Sequence, residues 1–201
     1  NPKFAFAYFN RAIVEDSKHD FAKARQDYDE AIRLKPEYPA FYKNRGLLRQ
    51  RQGDIEGAIA DASIAIGIND SDPDVFINRG NAWRDKKDYD KAIKDYDEAI
   101  RLDPKDSWAF NNRGMALRNK NDNDRAIADF DEAIRLNPKY ASAFANRGAA
   151  WYDKADYERA IADCSEAIRL TPQYAWAFDI RGLAAQGKGD LDQAVADFTE
   201  A

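Results

Sequence analysis

Five asparagines stand at equal intervals along the chain. Asn10, Asn44, Asn78, Asn112 and Asn146 are each 34 residues apart. A side-chain amide donates and accepts hydrogen bonds at once, so it can pair with a peptide group in either direction without reading the side chain beyond it. A row of such amides would hold an extended peptide by its backbone. At a net ~0.5–1.5 kcal/mol each, five contacts would supply much of the about 8 kcal/mol of a micromolar complex. The residue after each asparagine repeats more strictly still. Arg11, Arg45, Arg79, Arg113, Arg147 and Arg181 are each followed, sixteen residues on, by Asp27, Asp61, Asp95, Asp129, Asp163 and Asp197. A row of arginines alone would suit an acidic ligand. Because the carboxylates recur just as strictly, bridges between packed helices are the better reading, with the arginine stem filling apolar volume. Such pairs specify helix register more than they add stability.

Catalysis has little foothold, and an enzyme is not expected. The one histidine, His19, falls in a turn and is expected to face solvent. The one cysteine, Cys164, replaces an aromatic at an apolar position and is expected to be an inert buried thiol. A single Cys and a single His exclude a disulfide framework and most zinc sites, so neither a metal nor a cofactor is expected. The 31 Lys and Arg against 36 Asp and Glu give a net charge of −5, which argues against a phosphate-backbone binder. No apolar run approaches the roughly 18–20 residues of a membrane span. The Asp-Tyr-Asp runs at 27–29 and 95–97 lie across both faces of a helix and recur as scaffold.

The elements that carry these residues follow from the same period. Pro2, Pro36, Pro104, Pro138 and Pro172 share the 34-residue grid, as do Gly46, Gly80, Gly114, Gly148 and Gly182, with Ala12 in the equivalent earlier place. Numbering each repeat from 1 to 34 gives residues 5–38, 39–72, 73–106, 107–140, 141–174 and a shorter 175–201, with 1–4 as the tail of a preceding repeat. Each repeat reads as two helices. The second opens at position 16 on an aspartate suited to capping (Asp20, Asp54, Asp88, Asp122, Asp156, Asp190). It continues with Ala at 20, a mostly large residue at 24, Ala at 27 and Ile at 28, which is one buried face at helical spacing. Small Ala at 20 and 27 lets a neighbouring helix come close. The first helix carries an aromatic at position 4 and Gly at 8. A mid-helix Gly costs roughly 1 kcal/mol relative to Ala, so its repetition implies tight helix contact there.

The aromatic at 4, Gly at 8, Ala at 20, the large residue at 24, Ala at 27 and Pro at 32 together resemble the tetratricopeptide repeat family. The resemblance covers about 197 of 201 residues. It implies an all-α solenoid of tandem antiparallel helix pairs, wound as a right-handed superhelix, with a concave groove lined mainly by the first helices. The position-6 asparagines are similar to those of the repeat domain of O-linked N-acetylglucosamine transferase, where the same position grips peptide backbone. Positions 2, 6, 9 and 13 share one helix face, distinct from the packed 4–8–11 face, so position 6 is expected to look into the groove. The competing possibility is that each asparagine bonds the neighbouring repeat.

Around the ladder the expected groove varies from repeat to repeat, as a specificity surface would. Its candidate contacts are Lys43, Asn81, Arg84, Trp108, Asn111, Met115, Arg118, Tyr152 and Trp176, beside the five ladder asparagines. Trp108 and Trp176 occupy a position outside the core pattern, where Trp is a frequent hot spot or a cover for the preceding repeat. A carboxylate clamp of the chaperone-tail type is excluded: Lys43 and Asn78 match its pattern, but Leu47, Trp108 and Asn112 do not. The pentatricopeptide RNA readers differ in period and are typically basic. Departures from the family concentrate at position 7, where Arg replaces the usual Leu, and in the second repeat. There Ala62, Gly57, Gly67 and Asp70 break the pattern, and the loosest packing and fastest amide exchange are expected.

The ends are expected to be cuts in a longer array, which leaves the compartment open. The expected partner is a protein or peptide segment, extended or helical, with no nucleic acid and no membrane insertion. A self-assembling scaffold built by stacking of exposed terminal repeats, or a regulatory module of a larger multidomain protein, are the alternatives.

Overall fold

The structure, a computed structural model, describes residues 4–201, so the expected repeat tail at Asn1 and Pro2 lies outside the described residues. The described residues form twelve α-helices and no strand. They divide into two compact units, one reaching Pro104 and one starting at Lys105.

The first unit holds α1 (Ala5–Ser17), α2 (Phe21–Leu34), α3 (Pro39–Arg51), α4 (Ile55–Ile68), α5 (Pro73–Asp85) and α6 (Tyr89–Leu102). The second holds α7 (Ser107–Asn119), α8 (Asn123–Leu136), α9 (Ala141–Asp153), α10 (Tyr157–Leu170), α11 (Ala175–Lys188) and α12 (Leu191–Glu200). Within each unit every odd-numbered helix packs on the helix that follows it, and the even helix then packs on the next odd one. Odd helices also touch each other: α1 meets α3 and α3 meets α5, while α7 meets α9 and α9 meets α11. Each unit therefore has one face built from first helices.

Local chemistry explains the helix limits. All six position-16 aspartates cap the second helix, each carboxylate accepting from the backbone N–H three residues on, at 2.9 Å for Asp54 and Gly57 and 3.1 Å for Asp156 and Arg159. The turn before each cap bends through a left-handed residue at position 15. His19, Lys87, Asn121 and Ala155 have φ of 60–63°, and Gly53 and Gly189 take the same place at 80° and 90°. Exposed His19 is thus a turn residue.

The interior is built on alanine and rings. Ala24, Ala31, Ala92, Ala99, Ala126, Ala133, Ala160 and Ala167 are fully buried. Tyr28, Tyr96 and Phe130 fill position 24 with 1% exposure or less, each burial stabilising by roughly 1.5–3 kcal/mol. The glycine at position 8 exists for these rings: a Cβ on Gly80 or Gly114 would sit 2.7 Å from the ring of Tyr96 or Phe130. The second repeat departs from this. Gly46 faces Ala62 with no ring between them, and a cavity of about 10 Å³ lies there, lined by α3, α4 and α5. Its position 11 carries Arg49, which reaches Asp61 at 3.1 Å where other repeats place Trp83, Leu117 or Trp151.

Candidate functional site

The arginine row is a structural device. Each guanidinium forks onto its aspartate, with both oxygens engaged: Arg11–Asp27 at 2.5 and 2.7 Å, Arg45–Asp61 at 2.8 and 2.6 Å, Arg79–Asp95 at 2.8 and 2.7 Å, Arg113–Asp129 at 2.8 and 2.6 Å, Arg147–Asp163 at 2.7 and 2.6 Å, and Arg181–Asp197 at 2.9 and 2.6 Å. The same cation lies over the position-4 ring, 5.3 Å from Tyr8 and 5.4–5.8 Å from Tyr42, Phe76, Phe110, Phe144 and Phe178. A third nitrogen reaches back to the preceding second helix. Arg45 and Arg147 find Asp29 and Asp131 at 2.6 and 2.5 Å, while Arg79 and Arg181 find the hydroxyls of Ser63 and Ser165 at 3.2 and 3.1 Å. The Asp163 hydrogen bond, outweighing burial, holds Arg147 protonated above the usual arginine range. For Arg45 burial opposes the charge, and the bonds to Asp61 and Asp29 overcome it. This row is therefore committed to joining helices and leaves little for an acidic ligand.

Adjacent first helices meet with a fixed offset. Asn111 contacts Asn146, Asp16 pairs with Arg51, Gln50 donates to Asp85 at 2.6 Å, and Arg118 donates to Asp153 at 2.6 Å. Every one of these pairs is 35 residues apart, one more than the repeat. Position 5 of one repeat thus faces position 6 of the next, and position 12 faces position 13.

That offset decides what each ladder asparagine can do. In the first unit Asn10 is exposed, and Asn44 and Asn78 are half-buried on the first-helix face. Asn44 gives one N–H to its own Ala40 carbonyl at 2.9 Å. Asn78 follows Lys43, whose ammonium turns away to Asp72 at 2.8 Å and Asp74 at 3.4 Å. The amides of Asn10 and Asn78 make no side-chain hydrogen bond among the described residues. In the second unit Asn112 is half-buried and equally free. Asn146 differs: it is 8% exposed and donates to Oδ1 of Asn111, itself 3% exposed, at 3.0 Å. These two were expected to face the groove. Between α7 and α9 both are buried instead, with Asn146 donating to the Asn111 amide oxygen.

The remaining candidates divide the same way. Lys43 is held by Asp72 and Asp74, and Arg118 by Asp153. Burial works against the Lys43 charge, but the Asp72 hydrogen bond prevails and its pKa is raised. Arg84 lies 3.9 Å from Asp85. Asn81 accepts from the Tyr96 hydroxyl at 2.8 Å. Asn111 also approaches the Met115 sulfur at 3.6 Å, and Tyr152 lies 5.9 Å from the Tyr157 ring. Trp108 is 62% exposed and stands 5.3 Å from the Tyr140 ring, and Trp176 is 39% exposed. Both tryptophans are therefore presented outward. Sequence reasoning missed the acidic partners Asp72, Asp74, Asp85 and Asp153. A carboxylate 35 residues after a polar position-12 residue is the signal that finds the last two.

Burial pushes the Cys164 thiol up to about 12, so it is a protonated core atom. Among the described residues no cluster of His, Cys, Asp and Glu could hold a metal, and no helix is long and apolar enough to cross a membrane.

Comparison with known proteins bears on the whole chain. No curated protein shows a sequence match. Family models described as tetratricopeptide repeat match residues 73–106 and 111–175, and one described as TPR repeat matches residues 17–53. Among solved structures, MamA is 26% identical with a TM-score of 0.68, over 77% of this chain and 91% of that one. YrrB, described as a TPR protein with an unusual peptide-binding site, is 24% identical with a TM-score of 0.70, over 86% and 89%. PilF of Pseudomonas aeruginosa is 19% identical with a TM-score of 0.83, over 97% and 89%. With three repeat models together covering two thirds of the chain, and helix pairs like those of these solenoids, the chain belongs to the tetratricopeptide repeat family.

Proposed function

We propose that this protein–protein interaction module takes an extended segment of a partner protein along the first-helix face of a unit, held by side-chain amides. Asn10, Asn44 and Asn78 form the grip in the first unit, and Asn112 with Trp108 and Trp176 offer contacts in the second. One observation carries the reading. Asn78 sits half-exposed in mid-helix, where asparagine is a poor helix former, and its amide has no partner of its own. An unspent donor and acceptor on that face suits a peptide backbone. The peptide-binding site of YrrB, in a similar fold, agrees with this use. Asn111 and Asn146 drop out of the contact set, and Lys43 and Arg118 act through the ion pairs they already make. No catalytic role is proposed, and the net charge of −5 speaks against a nucleic-acid ligand.

The test is a triple Asn10→Ala, Asn44→Ala, Asn78→Ala variant, measured by fluorescence anisotropy against peptides enriched from a displayed random library. Affinity should fall about tenfold or more while the circular dichroism spectrum stays unchanged. Unchanged affinity would overturn the reading. Self-association is a second reading, favoured by Leu191 and Val195 of α12, which are 62% and 67% exposed. Sedimentation velocity separates it: a concentration-dependent species lost in Leu191→Ser, Val195→Ser would support it.

A further inference from the structure

In the third repeat the Tyr96 ring lies against Gly80 and carries its hydroxyl through to Asn81 on the first-helix face. A position-24 ring therefore spans the repeat from its second helix to the surface proposed to bind peptide. The second repeat keeps the glycine that admits such a ring but supplies Ala62 in its place, and a cavity of about 10 Å³ remains, room for about one water or one methyl group. Its apolar wall is Gly46, Leu47, Ala58, Ala62 and Val75, and its polar members are Lys43, Gln50 and Asn78. All lie in the first unit, and Asn78 is a ladder residue with an unspent amide.

We propose that this vacated ring slot is a specificity pocket for one aliphatic side chain of the bound segment, with a basic residue beside it. The inference rests on the peptide-binding reading above. The apolar wall and small volume select the methyl-ended tip of valine, isoleucine or leucine. Asn78, which lines the slot, would hold the backbone of that same residue. Charge selects the neighbour. Asp72 and Asp74 share the single ammonium of Lys43, which leaves one net negative charge, and the Asp74 side chain is 68% exposed. A lysine or arginine next to the aliphatic residue complements it.

The experiment pans a displayed library of random peptides of about ten residues against the full chain, then measures one enriched synthetic peptide. Enriched sequences should share one aliphatic residue with a basic residue within about two positions. Ala62→Phe, which more than fills the slot, should keep its helical spectrum despite the overpacking and weaken binding about tenfold or more. Replacing the aliphatic residue by alanine should cost wild type the same factor and cost Ala62→Phe nothing further. Asp74→Asn should weaken binding severalfold and flatten its salt dependence. If Ala62→Phe loses its helical spectrum, Ala62→Leu is read instead. Undiminished binding by the filled variant, with Asn78→Ala still weakened, overturns the pocket and leaves the ladder reading standing. No enriched peptide, or full binding by both variants, overturns both.

Discussion

Asn146 donates its side-chain amide to Oδ1 of Asn111 at 3.0 Å, across two first helices that bury both residues. A period of 34 in the sequence thus becomes an offset of 35 in the packing. This pair distinguishes structural from ligand-facing members of one ladder. Asn146→Ala should leave a buried carbonyl oxygen unsatisfied and lower stability by about 1–3 kcal/mol, read from the urea midpoint. Asn78→Ala should change stability little and act on peptide affinity. Equal stability losses for the two would contradict the distinction.

The Arg79–Asp95 fork predicts a marked asymmetry. Arg79→Ala strands a carboxylate whose side chain is 8% exposed, and should cost about 3–5 kcal/mol. Replacing both residues by methionine should restore most of that loss, because the desolvation penalty disappears with the charges. Arg11→Ala should cost less than Arg79→Ala, since Arg11 is 61% exposed. Chemical denaturation of the three variants beside wild type checks the order.

Two glycines should respond in opposite directions. A Cβ at Gly114 meets the buried Phe130 ring at 2.7 Å, while one at Gly67 meets nothing within 4 Å. Ala12 holds the Gly114 place in the first repeat beside Tyr28, so the clash is soft. Gly114→Ala should lose about 1 kcal/mol net of its helix-propensity gain, and Gly67→Ala should gain a few tenths to about 1 kcal/mol. Thermal melts that rise for both would refute the role given to the position-8 glycine.

Stability should fall in alkaline solution. Burial pushes the Cys164 thiol and the Tyr28 phenol up to about 12, and Tyr96 is raised in the same sense. Unfolded, a thiol titrates near ~8.5 and a phenol near ~10. The folded values exceed the unfolded ones, so this contribution is complete below about pH 8 and is lost as pH rises toward 12. The guanidinium midpoint should therefore drop between about pH 8 and 11, and less steeply in Cys164→Ala. For the same reason Cys164 should resist alkylation until the chain is unfolded.

The period was legible because four positions per repeat carry chemistry that a helix pair cannot omit. These are the capping Asp, the position-8 glycine, and the Arg and Asp of the fork. The helix boundaries, the buried alanines and the fork partners all follow from them. The inter-repeat register was not legible, since nothing within one repeat states how the next lies on it. That register determines why Asn146 is buried while Asn78 stays open, and why Lys43 and Arg118 are engaged. The left-handed turn at position 15 was hidden for a different reason. Its occupants are His19, Gly53, Lys87, Asn121, Ala155 and Gly189, and only two of the six are the residue that such a φ favours.

The backward reach of the third guanidinium nitrogen gives the array a grain. If one repeat opens, the arginine of its C-terminal neighbour loses a partner while it remains largely enclosed, at 13% side-chain exposure for Arg45 and 21% for Arg147. Opening in the other direction strips only Asp29 or Asp131, which are already half in water at 50% and 56%. A local breach should therefore travel more readily toward the C-terminus than toward the N-terminus, and a partner that pins an early repeat would steady those that follow it.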